Sequence, residues 1–428
     1  MTRSVTLDRD KCKGCTTCIK KCPTEAIRVR RGRAHIIDER CVDCGLCVRA
    51  CPNHAKKVVY DDWALLERFE HNIALPAPAL YGQFHNMENI NYVLAGLTQI
   101  GFHSVYEVSK AAEMISDWTR KAMKTSDLPR PVLSSACPAS VRLVCQRFPN
   151  LIPHIAPVVA PAELAAMRAR EEAVAATGLP AERIGVFFIS ACPANVTAAH
   201  HPLRLKQKVI DGAFSLSEVY VKLLSAMKKV GTPSGLTTSG LMGVGWATIG
   251  GEAAALLSDR YIAVDGIDNI ISVLEAVEDQ KLPEVEFVEM NACTQGCVGG
   301  CLNIENPFAA RMRIKRLMKY LPVSCNKLED PEQAAVQVEL AHTPVLKLSA
   351  DLSDAIEKNA RIEALSKKLP GLGCGACGAP SCRALAEDIV LGFGSEGDCI
   401  FTMRERMMYM SGTGDAEQYL PPPFRRED

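Results

Sequence analysis

Short apolar stretches and two dense cysteine runs make up the first sixty residues. Between the runs, residues 26–38 alternate apolar and polar positions around Arg31-Gly32-Arg33. This alternation on both sides of a glycine predicts a β-hairpin, and the basic residues at its tip predict a solvated turn. Residues 61–72 have the periodicity of a helical connector.

A different pattern runs from about residue 72 to residue 325. Short runs of β-branched and aliphatic residues, such as residues 186–189 and 285–288, predict strands. Longer amphipathic patterns, such as residues 163–176 and 267–277, predict helices. Strands that alternate with helices indicate a layered α/β domain with a mostly parallel sheet.

A glycine-rich stretch, residues 240–251, interrupts this pattern. It contains neither the lysine of a phosphate loop nor a G-x-G-x-x-G frame. We therefore expect a close-packed turn before a helix at this position, and no nucleotide site.

The C-terminal part is richer in charged residues. Residues 326–370 predict a helical linker, in which residues 354–368 form the helix. Residues 371–405 predict a small cysteine-rich domain. Residues 406–428 predict a tail, and the three consecutive prolines at 421–423 predict that the chain is disordered from there onward.

Composition limits the classes of function. A chain of 428 residues predicts about two to four structural units. Its 49 basic and 49 acidic residues balance, which argues against nucleic acid or an anionic membrane as a partner. The start of the sequence has no signal-peptide pattern, and no long apolar run predicts membrane insertion. Many cysteines in such a chain indicate a reducing cytoplasm, and we expect an anaerobic source.

Candidate chemistry begins with the two N-terminal cysteine runs. Each run reads C-x₂-C-x₂-C-x₃-C and is followed by proline, which is the bacterial ferredoxin pattern for two [4Fe–4S] clusters. Disulfides and zinc are the alternatives, but zinc sites usually use pairs of cysteines instead of two quartets. In the ferredoxin pattern the fourth cysteine of each run binds the other cluster. The first cluster is then expected on Cys12, Cys15, Cys18 and Cys51, and the second on Cys41, Cys44, Cys47 and Cys22.

Three junctions in the central region carry further cysteines. They read S-S-A-C-P-A, I-S-A-C-P-A and E-M-N-A-C-T-Q-G-C-V-G-G, and they contain Cys137, Cys192, Cys293 and Cys297. The last two junctions follow strand-like runs, which places their cysteines at the carboxyl end of a sheet, where α/β proteins hold their sites. Four cysteines from three loops can surround a cubane. The alternative is that they are buried structural cysteines.

These junctions resemble the three signature motifs of the [FeFe]-hydrogenases, which read roughly T-S-C-C-P, P-C-x-x-K-K and E-x-M-A-C-x₃-C-x-x-G-G. The resemblance covers residues 72–325 and implies a hydrogenase-like α/β domain after the ferredoxin domain of residues 1–60. It also implies an H-cluster, in which a [4Fe–4S] cubane is joined to a two-iron subcluster with carbonyl, cyanide and a dithiolate amine bridge. Carried over residue by residue, Cys137, Cys192, Cys293 and Cys297 hold the cubane, and Cys297 bridges to the two-iron unit.

The sequence departs from the family pattern around this H-cluster-like site. Ala136 stands where the family places the cysteine that passes protons to the bridge amine. Asn195 stands where the family places a lysine bonded to a cyanide. Ser190 and Asn291 replace two methionines that cover the site, and Cys301 replaces a glycine or proline. Such changes resemble the sensory or uncharacterised branches of the family.

A fourth cysteine group lies near the C-terminus. It reads L-P-G-L-G-C-G-A-C-G-A-P-S-C and is completed further along the chain. The pattern resembles the small [4Fe–4S] domain of electron-transfer subunits of the Rnf complex and of corrinoid proteins, with zinc as the alternative. Its expected ligands are Cys374, Cys377, Cys382 and Cys399.

The remaining candidate residues carry weaker signals. Cys145 lies in an amphipathic pattern and is expected in the core, whereas Cys325 is expected to be structural. Cys301 is a candidate extra ligand or proton relay. His200 and His201 form a weak metal candidate because adjacent side chains usually point apart.

Three functions remain open from the sequence. The first is a sensory or low-activity [FeFe]-hydrogenase that passes electrons between the buried site and the terminal clusters. The second is an electron-transfer or redox-sensing protein that binds only [4Fe–4S] clusters. The third is a different reductive enzyme on the same scaffold. In each case we expect redox proteins, ferredoxin-like or within an oxidoreductase or regulatory complex, as partners.

Overall fold

The structure is a computed structural model that describes residues 3–125, 127–233, 235–345 and 348–411. In chain order the described strands are β1 (Val5–Leu7), β2 (Ile27–Arg30), β3 (Arg33–Ile36), β4 (Lys56–Val58), β5 (His71–Pro76), β6 (Ser104–Val105), β7 (Val132–Leu133), β8 (Ile184–Ser190), β9 (Gly212–Ser215), β10 (Tyr261–Asp265) and β11 (Phe287–Asn291).

The described α-helices follow the same order: α1 (Thr17–Lys20), α2 (Leu46–Ala50), α3 (Asn91–Thr98), α4 (Val108–Thr125), α5 (Pro138–Arg147), α6 (Pro161–Thr177), α7 (Pro193–His200), α8 (Leu216–Met227), α9 (Leu241–Gly245), α10 (Gly251–Ala255), α11 (Ile267–Glu278), α12 (Pro307–Met318), α13 (Leu352–Lys368), α14 (Cys382–Val390) and α15 (Ile400–Ser411). Short 3₁₀ helices lie at Asp38–Arg40, Trp63–Arg68, Pro78–Gln83, Pro149–His154, Ala181–Arg183, Cys297–Gly299, Pro331–Ala334 and Glu396–Asp398.

The chain divides into two compact units. Among the described residues, unit 1 takes 3–6, 41–49 and 56–344, and unit 2 takes 7–40, 50–55 and 345–411. The ferredoxin-like segment is therefore shared. Its second cysteine run lies mainly in unit 1, and its first run lies in unit 2 with the C-terminal cysteine group.

Unit 1 contains two parallel sheets among its described strands. One has the order β6-β5-β8-β9, and the other has the order β10-β11-β7. In the first sheet Ile73 pairs with Val186, and in the second Phe287 pairs with Val132. This confirms the predicted α/β fold with mostly parallel sheets.

Strand β8 shows why these sheets form. All seven of its residues, I-G-V-F-F-I-S, are buried. A continuous apolar run is typical of a central parallel strand that is covered on both faces. Ala165 of helix α6 and Phe188 of β8 belong to the same apolar core of unit 1.

Helix α6 has clear end signals. Pro161 occupies its first turn, and Glu163 accepts a hydrogen bond from the backbone N–H of Ala160 over 3.0 Å. Gly178 ends the helix with a φ of 70°. Proline at the start and glycine just past the end are the expected signals for a helix of this length.

Unit 2 is built from the ferredoxin hairpin and the C-terminal helices. Strands β2 and β3 pair antiparallel, with Val29 opposite Ala34, and Arg31 and Gly32 form the turn with positive φ angles. This confirms the predicted hairpin and its exposed basic tip. Helix α13 packs against α14, and Ile362 lies in the small apolar core that they share.

Most of the other helices and strands predicted from the sequence are present in the structure. The helices expected at residues 163–176, 267–277 and 354–368 are confirmed as α6, α11 and α13. The strand expected at 186–189 is confirmed as β8, whereas the one expected at 285–288 begins two residues late, as β11.

Four predictions need correction. The connector at 61–72 is a 3₁₀ helix followed by β5, because residues from His71 onward pair with β8.

The glycine-rich stretch at residues 240–251 forms α9 and α10. A side-chain carbon on Gly243 would lie 2.0 Å from the carbonyl oxygen of Ser109, so glycine here permits close helix packing.

The linker at 326–370 is helical only from Leu352, apart from the 3₁₀ turn Pro331–Ala334. The predicted tail begins as helix, since α15 continues to Ser411, and the triple proline at 421–423 lies outside the described residues.

Candidate metal centres

Four cysteines of unit 1 meet at the carboxyl ends of its parallel strands. Cys137 lies just beyond β7, Cys192 just beyond β8, and Cys293 and Cys297 beyond β11. All four line one cavity of about 90 Å³. The sequence prediction that three separate loops bring these residues together therefore agrees with the geometry of the structure.

Two of these cysteines share a local design. Cys137 and Cys192 are the N-cap residues of α5 and α7, and each is followed by a proline in the first helical turn. Proline is favoured there because its fixed φ suits a helix start. The N-termini of both helices therefore point toward the cysteines, and their partial positive charge favours a negatively charged group.

The loop that carries the other two cysteines requires glycine. A side-chain carbon on Gly299 would lie 1.8 Å from the carbonyl oxygen of Thr294. One on Gly300 would lie 2.2 Å from the carbonyl oxygen of Ala191, which directly precedes Cys192. The two glycines thus let this loop close onto the turn of Cys192.

The cavity is a poor environment for bare thiolates. Burial raises the pKa of Cys192 and of Cys293 well above the ordinary range, and the neighbouring cysteines raise both further. Burial likewise raises the pKa of Cys297 to about 12. Four thiolates at this position therefore need a cationic centre among them, as in a metal cluster.

The donor set fits an iron–sulfur cubane better than a single ion. Within the described residues, no three His, Cys, Asp or Glu side chains stand close enough to share one metal ion. Thiolates on the corners of a cubane stand farther apart than thiolates around one zinc. No disulfide links any of the cysteines, all of which are among the described residues.

The residues that depart from the family pattern lie around this cavity. Ala136, Asn195 and Asn291 line it. The Asn195 amide Nδ2 lies 3.4 Å from Cys192 Sγ, so it donates toward a ligand. Ser190 is fully buried, and its hydroxyl donates to the Cys192 carbonyl over 2.9 Å.

Two glutamates in the same cavity wall were not expected from the sequence. Glu252 accepts a hydrogen bond from Ser134 over 2.6 Å. Glu289 accepts bonds from the backbone of Gly250 and Ala253, and from the Asn291 amide over 2.8 Å. Glu252 lies in the glycine-rich stretch that was interpreted only as a turn, and Glu289 belongs to the third motif without an assigned role.

The two carboxyl groups lie close enough that the charge of Glu289 affects the ionisation of Glu252. Burial raises the pKa of Glu252, and the charge of nearby Glu289 raises it further. Burial also raises the pKa of Glu289, although its hydrogen bonds act in the opposite direction. The pair therefore retains a proton at pH values where exposed glutamates have lost theirs.

The loop of the second ferredoxin cysteine run, which contains Gly45, packs against the turn of Cys192 in unit 1. A side-chain carbon on Gly45 would lie 2.6 Å from Cys301 Sγ and 3.3 Å from the Pro193 ring. Cys301 thus lies between this loop and the turn of Cys192, and burial raises its pKa to about 12. Its role as an extra ligand or proton relay stays a prediction.

The first ferredoxin ligand loop lies wholly in unit 2, which holds Cys12, Cys15, Cys18 and Cys51. Backbone N–H groups point at its sulfurs: Ala34 donates to Cys12 Sγ over 3.4 Å, and Ala55 donates to Cys51 Sγ over 3.3 Å. Such bonds tune iron–sulfur clusters. For the second cluster, Cys41, Cys44 and Cys47 lie in unit 1 and Cys22 in unit 2. Both ferredoxin ligand sets stay predictions.

The C-terminal cysteines lie in a glycine-bent loop of unit 2. Gly373, Gly375 and Gly378 all have positive φ angles, which glycine adopts without strain. The pKa of Cys377 is raised by burial and by the nearby Cys374 and Cys399. Cys382 opens helix α14.

Cys145, Cys325 and His200 lie in different environments. Cys145 is buried in an apolar cluster, as expected, whereas Cys325 is exposed. The Cys325 backbone N–H donates to Glu113, and its exposed side chain does not fit the expectation of a structural cysteine. His200 pairs with Asp61 over 2.9 Å.

A cavity bounded by four cysteine thiols, together with two ferredoxin-type cysteine runs, defines an iron–sulfur protein. The sequence matches the family described as iron only hydrogenase large subunit, C-terminal domain, over residues 70–231 and 237–301. It also matches a 4Fe-4S dicluster domain over residues 4–52 and an Fe-S cluster domain over residues 369–401. The chain belongs to the iron-only, or [FeFe]-, hydrogenase family.

One curated relative is the periplasmic [Fe] hydrogenase large subunit of Nitratidesulfovibrio vulgaris. It is 30% identical over 296 residues, which cover 61% of this chain and 69% of that protein. No helix among the described residues is long and apolar enough to span a membrane.

Solved [FeFe]-hydrogenases share the fold. A glutamate-to-alanine variant of the Chlamydomonas reinhardtii enzyme aligns with a TM-score of 0.51 and 14% identity, covering 66% of this chain and 98% of that one. A structure that concerns stepwise H-cluster assembly aligns with a TM-score of 0.50, at the same identity and coverage.

Proposed function

We propose that this protein is a sensory or low-activity [FeFe]-hydrogenase, with a buried H-cluster-like site that exchanges electrons with terminal [4Fe–4S] clusters. One observation carries the proposal. The four cysteines that the family resemblance assigns as cubane ligands line one cavity, and Ala136 and Asn195 line it where the family has a cysteine and a lysine.

The chain's own residues have defined tasks in this proposal. Cys137, Cys192, Cys293 and Cys297 would hold a cubane, which supplies single-electron transfer when it is bound. Ala136 has no proton to give. Glu252 and Glu289 would hold a proton at the cavity wall, with the Ser134 hydroxyl donating to Glu252 Oε2. A positioned acid commonly contributes about 10²–10⁴-fold in rate, so alanine at position 136 in place of the family's cysteine implies slow turnover.

A second function is favoured by one contact. The Asn195 amide donates to Cys192 Sγ, which is a cubane ligand in this assignment. A neutral amide that donates to a cubane ligand makes a weaker partner for a cyanide than the charged lysine of the family. This supports a protein that binds only [4Fe–4S] clusters and serves in electron transfer or redox sensing. A different reductive reaction at the same cavity is the third alternative.

Infrared spectroscopy separates these functions. The protein would be produced with the hydrogenase maturation machinery, or loaded with a synthetic two-iron mimic, and examined for metal-bound carbonyl and cyanide bands. Such bands support the hydrogenase function. Their absence, in protein with a full complement of cubanes, would replace it with the electron-transfer function, or with the alternative enzyme if a reducible substrate is then turned over.

The partners and the compartment follow from the same proposal. A chain with this many iron–sulfur ligands would exchange electrons with a ferredoxin-like protein or a larger oxidoreductase or regulatory complex. Its cysteine content favours a reducing cytoplasm. Fractionation of the source cells tests the compartment, and the periplasmic location of the N. vulgaris relative makes that test informative.

A further inference from the structure

The C-terminal cysteine loop is bonded directly to the ferredoxin hairpin within unit 2. The backbone N–H of Val29 donates to the carbonyl of Gly378 over 2.7 Å. The Arg30 guanidinium donates to the carbonyl of Cys377 over 3.0 Å. Strand β2 therefore contacts the loop at a predicted cluster ligand and at the residue after it.

The same hairpin also contacts the first ferredoxin loop. Val29 pairs with Ala34 across the hairpin, and the Ala34 N–H donates to Cys12 Sγ over 3.4 Å. Neighbouring strands lie about 5 Å apart. One cross-strand pair thus contacts both ligand loops, the C-terminal loop through Val29 and the first ferredoxin loop through Ala34.

The fit between the loop and its surroundings is close. A side-chain carbon on Gly378 would lie 2.0 Å from the carbonyl oxygen of Val29, so this contact requires glycine. One on Gly375, the residue after Cys374, would lie 3.3 Å from the side chains of Ile19 and Lys20. These two residues directly follow Cys18, so the loops also meet at α1.

Buried ion pairs fix the arrangement. Asp388 of α14 accepts from Arg28 Nε over 2.9 Å, and it also pairs with Arg30. Arg28 is 5% exposed and Asp388 is 6% exposed. Arg40 pairs with Glu387 of the same helix over 3.1 Å. Buried pairs contribute little net stability because of their desolvation cost, but they can specify one arrangement over others.

We propose that the β2–β3 hairpin and helix α14 hold the C-terminal cluster beside the first ferredoxin cluster, and that the two clusters therefore act as one electronically coupled pair. This inference rests on the proposed function in one respect, since both cysteine sets must hold [4Fe–4S] clusters. It does not depend on a two-iron unit. The C-terminal domain is then a fixed extension of the ferredoxin and not a separately tethered module.

Electron paramagnetic resonance of the fully reduced, full-length protein tests the coupling. Two reduced clusters held side by side give split or broadened signals through spin–spin interaction. We expect this splitting in the unmodified protein. The component that comes from the C-terminal cluster should be lost in Cys377→Ala, which removes one predicted ligand of that cluster, whereas any coupling between the two ferredoxin clusters should remain. Asp388→Asn should diminish the splitting at unchanged iron content, and Asp388→Glu should restore it.

A matched control lies in the same domain. Glu396 pairs with Lys368 at the surface, so Glu396→Gln should leave the splitting unchanged. If the unmodified protein holds both clusters but shows no splitting that depends on Cys377, or if Asp388→Asn has the same spectrum as Glu396→Gln, the docking proposal is wrong.

Hydrogen exchange of the Val29 N–H provides a second measurement that needs no variant. This N–H is bonded to Gly378 and not to the facing strand, so it should exchange about a hundredfold or more slowly than an open amide. Exchange at the open rate would overturn the docking. Neither measurement involves carbonyl or cyanide bands, so failure here is distinct from failure of the hydrogenase function.

Discussion

Arg142 Nη1 lies 3.9 Å from Asp43 Oδ2 in the interior of unit 1. Arg142 belongs to α5, which begins after Cys137, and Asp43 belongs to the second ferredoxin loop, between Cys41 and Cys44. Asp43 also accepts a hydrogen bond from Thr197 over 2.7 Å. Asp43 therefore joins the ferredoxin loop to α5 and α7, the helices that begin at Cys137 and Cys192.

This pair predicts a shift in reduction potential. The guanidinium of Arg142 is buried near Cys41, Cys137 and Cys192. A fixed positive charge favours the reduced, more negative form of a nearby cluster. Arg142→Met should therefore lower the midpoint potentials of the neighbouring clusters, where about 59 mV corresponds to a tenfold change in the one-electron equilibrium.

A redox titration followed by electron paramagnetic resonance measures these potentials. Arg147→Met is the control, because Arg147 lies on the same helix and pairs with Glu275 at the surface. Equal potentials in the two variants would contradict the predicted role of the buried charge.

The iron content is a second prediction. Four cysteine quartets predict four [4Fe–4S] clusters, and so about sixteen iron atoms per chain before any two-iron unit. Chemical iron assay and Mössbauer spectra of anaerobically reconstituted protein measure this. A content near eight iron atoms would leave only the ferredoxin-type clusters.

The buried cubane should be separable from the others. Its ligands line one internal cavity, whereas the C-terminal and first ferredoxin ligands lie in local loops of unit 2. Cys192→Ala should lose about four iron atoms and keep the ferredoxin signals in the spectrum. Cys145→Ala, a change at a buried cysteine outside every quartet, should keep the full iron content. Loss of all the clusters in Cys192→Ala would show that the sites do not assemble independently.

The buried carboxyl groups of Glu252 and Glu289 predict a pH dependence. Their folded pKa values are raised, so the stabilising protonated form is fully present below the ordinary pKa of about 4.3 and is lost as the pH rises through the raised values. A protonated-carboxyl infrared band should therefore persist at neutral pH. In Glu252→Gln, Glu289 loses its charged neighbour and should release its proton at lower pH.

The difference spectrum between the unmodified protein and Glu252→Gln isolates this band. Glu172→Gln is the control, since Glu172 is half-exposed and pairs with Lys110 at the surface. A Glu252→Gln protein that retains the full band across neutral pH would show that the pair does not hold the proton.

Hydrogen turnover is the final prediction. Rates should be far below those of enzymes with a cysteine at position 136, by roughly the 10²–10⁴-fold that one positioned acid contributes. Ala136→Cys alone should recover little if the two-iron unit is absent. The Asn195→Lys change should have the larger effect, because the lysine would allow the two-iron unit to bind.

The assay compares H₂ evolution and infrared bands in both single variants and the double variant after maturation. Classical rates in the unmodified protein would contradict the interpretation of both positions. If no variant ever shows carbonyl bands, the electron-transfer or alternative-enzyme function should replace the hydrogenase function.

Local spacing was enough to predict much of this protein. The cysteine runs, the hairpin at Arg31-Gly32 and helices such as α6 depend on residues that are near in sequence, so their signals are complete in a short window. The motif around Cys293 and Cys297 is similarly local. Its two glycines mark a close backbone approach that the structure then explains.

Other features depended on partners far along the chain. The connector at 61–72 ends in a strand because β8, more than one hundred residues later, supplies the hydrogen bonds of β5. Glu252 becomes chemically notable only because folding buries it near Glu289. Neither residue has a local pattern that distinguishes it from an exposed glutamate.

The sequence by itself determined the candidate iron ligands, because each cysteine lies in a short motif that is complete within its own loop. Only the tertiary structure decided which residues surround the cavity. It also decided that Arg28 of the hairpin pairs with Asp388, which lies 360 positions away in the sequence. The physical reason is that burial, charge pairing and pKa depend on distances in space, which folding sets and sequence separation does not.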